Sequence, residues 1–344
     1  MQKIVVHSAG GHDKLKLEEH PTPVPGPGEV LVATRSIGVN FADLVVRMGL
    51  YDSAKKYVGW PITPGFECSG RVLGVGANVT DLAPGDEVVA LVRFGAYATH
   101  VVAPRVQVFR RPEKLDMVRA GAFFVVHLTA WYALAELSRI RVGRRVLVHS
   151  AAGGVGLALV RIAKILGAEV TGVVGAPHKV EAVRAAGADH VIDRSNERLW
   201  QVAERIAPGG FHSVLDANGV ETLRQSYAHL APTGRLIVYG AHTMLKRGKD
   251  KPNWAKLAVD FVRTPWFHPL ALTGENRGVL GFNLSYLFDE TSMLTEALDA
   301  LLPWIADGRL PAPPVTTFPF QKVAEAHAAL ESGRTVGKVT LLVE

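Results

Sequence analysis

The chain has 344 residues, 48% hydrophobic and 20% charged, with a formal net charge of +6 and one cysteine; it is long enough for two domains and a large core. Cys68 alone excludes an internal disulfide and a cysteine-rich zinc lobe, and no arginine-rich motif or aromatic RNA platform accompanies the basic balance, so no nucleic-acid partner is expected. The N-terminus has only a four-residue apolar stretch, which suits neither a signal peptide nor an anchor, and no window nears the eighteen or so apolar residues that span a bilayer, so a cytoplasmic protein is expected.

Residues 1–121 read as a β-rich domain. Short strands are predicted at 4–7, 15–18, 29–39, 68–75, 87–91, 97–103 and 107–110, separated by turns such as Pro23 to Gly28 and Ala83 to Asp86. Such spacing suits a small, partly open barrel. Cys68, among glycines and apolar residues, reads as a small buried side chain. From about Met117 the pattern turns helical. Strands and helices then alternate through residues 122–306, the signature of an α/β domain with a doubly wound parallel sheet, and residues 307–344 return to strand, helix, strand at 315–318, 321–331 and 336–343.

Within the second region, residues 145–175 carry the most information. An apolar run at 146–148 ends in His149 and Ser150. The glycines Gly153, Gly154 and Gly156 follow, then Leu157, Val160, Ile162, Ala163, Ile165 and Leu166 at helical spacing, then a second apolar run at 170–174. In this strand, turn, helix, strand context, the backbone of Ala152, Gly153, Gly154, Val155 and Gly156 is positioned for a dinucleotide diphosphate at a helix N-terminus, although Ala151 stands where G-x-G-x-x-G has its first glycine. No acid appears before Glu181 to hold a ribose 2′-hydroxyl. Gly175 leaves room instead, and Lys179 and Arg194 bring positive charge, so a 2′-phosphate and hence NADPH is the expected cofactor. Asn218 follows a strand at 214–216, and Tyr239, Gly240 and Ala241 follow one at 235–238; both loops lie at carboxyl ends of parallel strands, where open sheets bind ligands.

Residues 241–266 begin with a tract carrying four cations, Lys246, Arg247, Lys249 and Lys251, then show a helical pattern with Trp254, Leu257, Ala258, Phe261 and Val262 on one side. Two readings stand: a solvated loop before a helix that covers the sheet or lids a cleft, or a contact with an anionic membrane surface. The apolar run 279–287 is a candidate sheet edge for a homodimer. The thirteen histidines show no H-E-x-x-H spacing, and His149 reads as structural.

The motifs Gly38-Val39-Asn40-Phe41-Ala42-Asp43, Gly49-Leu50-Tyr51, Pro64-Gly65-Phe66-Glu67, Gly85-Asp86-Glu87-Val88, Ala151 to Gly156 and Gly337-Lys338-Val339 occur in this order along the whole chain. Together they resemble the zinc-independent quinone oxidoreductases of the medium-chain dehydrogenase/reductase superfamily. The segment 276–284 is most similar to the branch named for synaptic vesicle membrane protein VAT-1. The resemblance implies a GroES-like substrate domain completed by the C-terminal strands, a Rossmann domain, and an active cleft between them. It implies that Asn40 contacts cofactor or substrate, that Asp43 orders the loop, and that Tyr51 donates a hydrogen bond to the substrate oxygen. Thr129, Phe282, Asn283, Leu284 and Lys338 match cofactor contacts of the family. From the residues alone, Tyr51 equally suits packing beside Trp60, and Asn40 and Asp43 suit a helix cap.

Zinc-dependent relatives place ligands at the positions of Asn40, Phe66 and near Val125. None of these is a ligand here, and Glu67 with His127 falls short of the three needed, so no metal is expected. The expected substrate is therefore electrophilic in its own right, a quinone or an activated alkene. The alternative is a nucleotide-binding protein with a mainly membrane or lipid interaction role. Where some quinone reductases carry a tyrosine, this chain has Val45.

Overall fold

The computed structural model describes residues 1–244 and 253–344. They form two compact units: residues 1–126 with 285–344, and residues 127–244 with 253–284. The helix Thr291–Ala306, which the sequence assigns to the dinucleotide region, groups with the first unit. The cations Lys246, Arg247, Lys249 and Lys251 lie outside the described residues.

In chain order the strands are β1 (Gln2–Val5), β2 (Lys16–Glu19), β3 (Glu29–Val39), β4 (Glu67–Val75), β5 (Glu87–Leu91), β6 (His100–Pro104) and β7 (Val108–Arg110). The second unit contributes β8 (Arg145–Val148), β9 (Glu169–Val174), β10 (His190–Asp193), β11 (Phe211–Asp216), β12 (Leu230–Val238) and β13 (Gly278–Gly281). The return is β14 (Val315–Pro319) and β15 (Lys338–Leu342). Strand β6 starts later than the pattern 97–103 suggests, because Tyr97 and Thr99 bond instead to Pro64, Ile4, Gln2 and Thr34.

The first unit is a seven-stranded sheet, ordered β14-β15-β3-β4-β5-β7 with β6 also on β3, beside the hairpin β1-β2. Strand β3 has eleven residues because one edge serves two partners: its first half pairs with β6 and its second half with β15. Pairing Val39 with Val339 sets Lys338 next to Asn40. A residue from each end of the chain thus meets in one register step. Phe320, Val323 and Ala326 of the return pack into the same core as Val30, Val32, Leu44 and Tyr97. Each buried Val, Leu or Phe side chain among them contributes about 1.5–3 kcal/mol relative to exposure.

The second unit is a six-stranded sheet, β10-β9-β8-β11-β12-β13, parallel throughout. Parallel strands buried on both faces need continuous apolar runs, and Val146, Leu147 and Val148 are fully buried. The order reverses between β8 and β11, which opens a crevice at their carboxyl ends. Ser150 and Asn218 emerge there. The helices that connect the strands begin with Gly154–Ile165, after which Gly167 stops the chain in a left-handed conformation, φ 79°. The segment Tyr132–Ser138 is a π-helix, which no periodicity argument would reveal.

The helix Trp254–Arg263 departs from the covering role. Its Asp260 is 5% exposed, whereas Trp254, Phe261 and Val262 are 66%, 73% and 79% exposed. Asp260 pairs with Lys256, and Lys256 also donates to the Thr243 carbonyl at 2.5 Å. The polar side is therefore held inward and the apolar side faces out. Trp266 and Leu270 extend the exposed apolar surface. The run 279–287 also divides: β13 stops at Gly281, and Leu284–Leu287 is a 3-10 turn. No helix among the described residues is long and apolar enough to cross a membrane.

Candidate functional site

The glycine turn of the second unit shows why its sequence is what it is. A Cβ on Gly156 would lie 2.4 Å from the Ser150 carbonyl oxygen and 2.6 Å from the Ala151 Cα, so only glycine lets the helix sit this close to the strand end. At Gly153 the nearest such atom is 3.4 Å away, leaving the backbone open on that side. Gly153 caps the helix Gly154–Ile165 without any side-chain bond to its first amides. Those amides and the helix dipole form an anion cradle. Ala151, fully buried, donates its NH to the Val173 carbonyl at 3.0 Å. The left-handed bend is taken one residue earlier, by Ser150 at φ 52°. Ala151 therefore does not need to be glycine.

At the end of β9, a Cβ on Gly175 would meet the Arg194 guanidinium at 3.5 Å. The Arg194 NH also donates to the Val174 carbonyl, so the backbone brings the side chain to this spot. Arg194 and Gly175, nineteen residues apart, thus share one place, and Lys179 begins the helix Val180–Ala185 one turn beyond. An acid there would form an ion pair with Arg194. With glycine instead, no acid stands beside the guanidinium at this point.

The loops after β11 and β12 are tied together by Asp216, which the sequence reading passed over. It is fully buried, with Oδ1 accepting from the Asn218 and Gly219 amides at 2.8 and 3.1 Å. Its Oδ2 accepts from Thr222 and Ser226 hydroxyls at 2.7 and 2.8 Å. Asn218 then receives the Ser150 hydroxyl at 2.8 Å and, through its carbonyl, the Thr243 amide and hydroxyl. An acid ending an apolar strand was the signal available. Gly240 and Ala241 crowd the same loops: a Cβ on Gly240 would lie 2.9 Å from the Ala217 carbonyl oxygen. Tyr239 is half-buried, and burial with Asp216 nearby pushes its phenol pKa up. Phe282 stands 5.0 Å from Tyr132 and 6.3 Å from Tyr239, followed by Asn283 and Leu284, and Thr129 is 9% exposed.

His149 donates to Ser226, whose proton is directed to Asp216, so its Nε2 carries the hydrogen and its Nδ1 has no partner among the described residues. Burial lowers its pKa, with Asp216 opposing. It is a neutral, packed histidine against Trp200.

In the first unit, Asn40 caps the helix Phe41–Arg47 in a capping box with Asp43. Asp43 also accepts the Gly65 amide at 2.8 Å, which fastens the Pro64-Gly65-Phe66-Glu67 stretch to this helix start. Both residues are buried, and Asp43 acts as an orderer of the loop. Lys338 donates to the Val39 carbonyl at 3.0 Å, to Asn40 Oδ1 at 2.7 Å and to Glu67 Oε1 at 3.1 Å. An ammonium has three protons, and all three are used. A direct bond from Lys338 to a cofactor would have to replace one of them. Glu67 in turn receives Asn40 Nδ2 at 3.2 Å and the Val125 amide at 2.9 Å.

This cluster does not fit zinc. Phe66 has no ligand atom, Glu67 is already neutralised by Lys338, and the Asp43 carboxylate is taken up by the Asn40 and Gly65 amides. Among the described residues no group of three metal-ligating side chains occurs. Tyr51 stands at the start of the helix Asp52–Tyr57, edge-on to Phe66 at 6.0 Å and to Phe94 at 6.3 Å. Both rings pack against it. Phe66, at the position of a zinc ligand in metal-dependent relatives, instead builds an aromatic wall with Tyr51 and Phe94.

The sequence and fold comparisons agree with this geometry. Residues 26–113 match the alcohol dehydrogenase GroES-like domain, and residues 186–341 match the zinc-binding dehydrogenase family, in which the present residues do not reproduce the metal ligands. A human synaptic vesicle membrane protein VAT-1 homolog is 35% identical over 98% of this chain and 86% of its own length. The chain belongs to the medium-chain dehydrogenase/reductase superfamily. A 2-haloacrylate reductase from Burkholderia sp is 32% identical over 98% of both chains. The Escherichia coli quinone oxidoreductase complexed with NADPH superimposes with a TM-score of 0.86 at 28% identity, covering 100% of each chain. In this chain the open turn at Gly153 and the close approach at Gly156 lie at the strand-to-helix turn, and the Arg194–Gly175 pair lies at the end of the next strand.

Proposed function

We propose that the chain is an NADPH-dependent, zinc-independent reductase of quinones or activated alkenes. The observation that carries this reading is Glu67 locked to Lys338 beside Phe66, which leaves a polar cluster next to Asn40 with no place for a Lewis-acid metal. Bound NADPH supplies a hydride. The chain's own residues bind and orient the acceptor and hold the anion that forms, which is then protonated. With no metal to polarise an alcohol or a simple ketone, the acceptor has to be electrophilic through conjugation. Tyr51 donates a hydrogen bond to the substrate oxygen, stabilising the anion that develops there, and Asn40 orients the reacting end. The Phe66 and Phe94 rings exclude water. The relative named 2-haloacrylate reductase supports the alkene arm, and the quinone oxidoreductase the quinone arm.

The test is oxidation of NADPH and NADH by the purified protein against ortho-quinones, para-quinones and enones, with and without chelator. Turnover with NADPH that resists the chelator is expected. Tight NADPH binding with no turnover on any acceptor would overturn the reductase.

A second reading, a nucleotide-binding protein with a lipid-interaction role, is favoured by one observation: the outward-facing Trp254, Phe261, Val262, Trp266 and Leu270. Liposome sedimentation that survives Phe261→Ser with Trp266→Ser would remove it. The competing occupant of that region is a second copy. We propose a homodimer formed along β13, whose paired neighbour is β12, with the exposed apolar side chains covered nearby. A light-scattering mass of twice 37.0 kDa is expected, and a mass of 37.0 kDa would exclude the dimer.

A further inference from the structure

In the first unit Asp43 continues into three buried side chains that no step above uses, and the four form a continuous string. Asp43, Arg47, Tyr97 and His327 are each fully buried. The Tyr97 hydroxyl is 3.1 Å from Asp43 Oδ2 and 3.1 Å from His327 Nε2. His327 Nδ1 is 3.5 Å from Arg47 Nη1, and Arg47 Nη2 donates to Glu331 Oε1 at 2.7 Å. Glu331 Oε2 meets His12 Nε2 at 2.9 Å near the surface. His327 and Glu331 come from the helix Val323–Glu331, some 280 residues from Asp43 and Arg47 in sequence.

The direction of every proton follows from Arg47. A guanidinium only donates, so His327 Nδ1 is the acceptor and Nε2 carries the hydrogen. Nε2 then donates to the Tyr97 oxygen, and the phenol's own hydrogen is left to point at Asp43. Burial holds His327 well below the ordinary imidazole range, with Arg47 and His12 adding to the effect, so this tautomer is neutral. Asp43 receives three donors: Tyr97, the Asn40 amide at 2.8 Å and the Gly65 amide at 2.8 Å. Nothing in that set asks Asp43 for a proton.

We infer that Tyr97 and His327 are positioning residues, which act through Asp43 to hold the loop carrying Asn40 in the form that the proposed reductase needs. The inference rests on the reductase reading for what the loop serves. The string supplies what the capping box lacks: a third donor to the carboxylate whose orientation is set from the far end of the chain. A protonated Asp43 is a weaker acceptor and must release one of its three accepted bonds, which loosens its hold on the Asn40 and Gly65 amides. Burial pushes the Asp43 carboxyl up to about 7, opposed by the Asn40 and Gly65 amides, Lys338 and Tyr97. The other charged or titratable groups around it are Arg47 on its own helix, His327 behind Tyr97, Glu67 behind Lys338, and Glu331 with His12 behind Arg47. Turnover should therefore fall as pH drops through that value, because protonation removes the carboxylate form that the loop requires.

The variants Tyr97→Phe, His327→Leu and His327→Gln test this in the full chain. Two readouts are followed: the Asp43 carboxyl band by infrared titration, assigned with Asp43→Asn, and the acid limb of kcat/KM for NADPH-dependent quinone reduction. Removing one donor raises the carboxyl midpoint, so Tyr97→Phe should move both readouts upward by about one pH unit, and His327→Leu, which leaves the phenol in place but no longer orients it, should move both the same way by about half as much. Gln at position 327 presents an acceptor to Arg47 and a donor to Tyr97, and should leave both within about 0.3 units of the parent. A loss of thermal stability that leaves the limb in place would be the mark of packing alone, and would overturn the positioning role. So would an infrared midpoint unmoved by Tyr97→Phe, or one that rises while the limb stays. Should Tyr97→Phe fail to fold, the His327→Gln and His327→Leu pair carries the same comparison. Absence of turnover in the parent protein on every acceptor would overturn the reductase reading, while the infrared titration still decides whether the string sets Asp43.

Discussion

At Lys338 an ammonium gives all three protons to acceptors of its own unit, whereas at Gly153 the first amides of a helix are left without a side-chain cap and with open backbone beside them. Both places are polar, and both lie at positions that the superfamily resemblance marks. Their accounting differs. The Asn40–Glu67–Lys338 cluster is closed, so its contribution is to hold a loop and a strand register. The glycine turn with Arg194 is open, and the first amides of its helix have no side-chain cap. A polar group's partners, rather than its presence in a motif, separate architecture from binding.

Lys338→Met gives the sharpest test of the closed cluster. It leaves Glu67 buried with no cation, and breaking a buried pair from one side costs about 3–5 kcal/mol. A marked fall in denaturation midpoint is expected. The double variant Glu67→Gln with Lys338→Met should recover most of the loss, because no buried charge then remains unpaired. NADPH affinity, measured by fluorescence titration on folded protein, should change little. If the affinity collapsed while the midpoint held, Lys338 would belong with the open turn and the comparison would break.

The same contrast explains what could be read from the amino-acid order. The glycine turn is local: strand, glycines and helix occupy one stretch, and every geometric demand falls within it. The strand β3, predicted at 29–39, is local in the same sense and matches residue for residue. Residues that follow a family motif were also legible, Asn40 and Asp43 among them. The pairing of Lys338 with Glu67 spans 271 residues and depends on the register of β15 against β3, which no periodicity specifies. Tyr97 and His327 are separated by 230 residues and look like ordinary core positions in their own segments. Asp216 was visible as an acid closing an apolar strand, yet its four accepted bonds come from residues folded back upon it. The helix Trp254–Arg263 misled in the opposite sense: its amphipathic spacing is real, but spacing does not say which side is inward, and Asp260 with Lys256 turned it around.

The open turn makes the smaller and more selective prediction. Arg194→Ala removes a guanidinium that has no side-chain hydrogen bond or ion pair among the described residues, and it keeps the backbone bond to the Val174 carbonyl. A charge-assisted bond to phosphate is worth about 1.5–3 kcal/mol, so NADPH affinity should fall tenfold or more while NADH affinity holds. Gly175→Asp acts from the other side of the same pair. Its carboxylate would engage Arg194, repel a 2′-phosphate and accept from a 2′-hydroxyl, so the preference should move toward NADH without a change in the fold. Equal losses for both nucleotides in either variant would mean that Arg194 serves the turn as a whole. A loss confined to NADPH in both would fix the 2′-phosphate between Gly175 and Arg194, and Lys179→Ala, one turn further on, should then produce the same selectivity at reduced size.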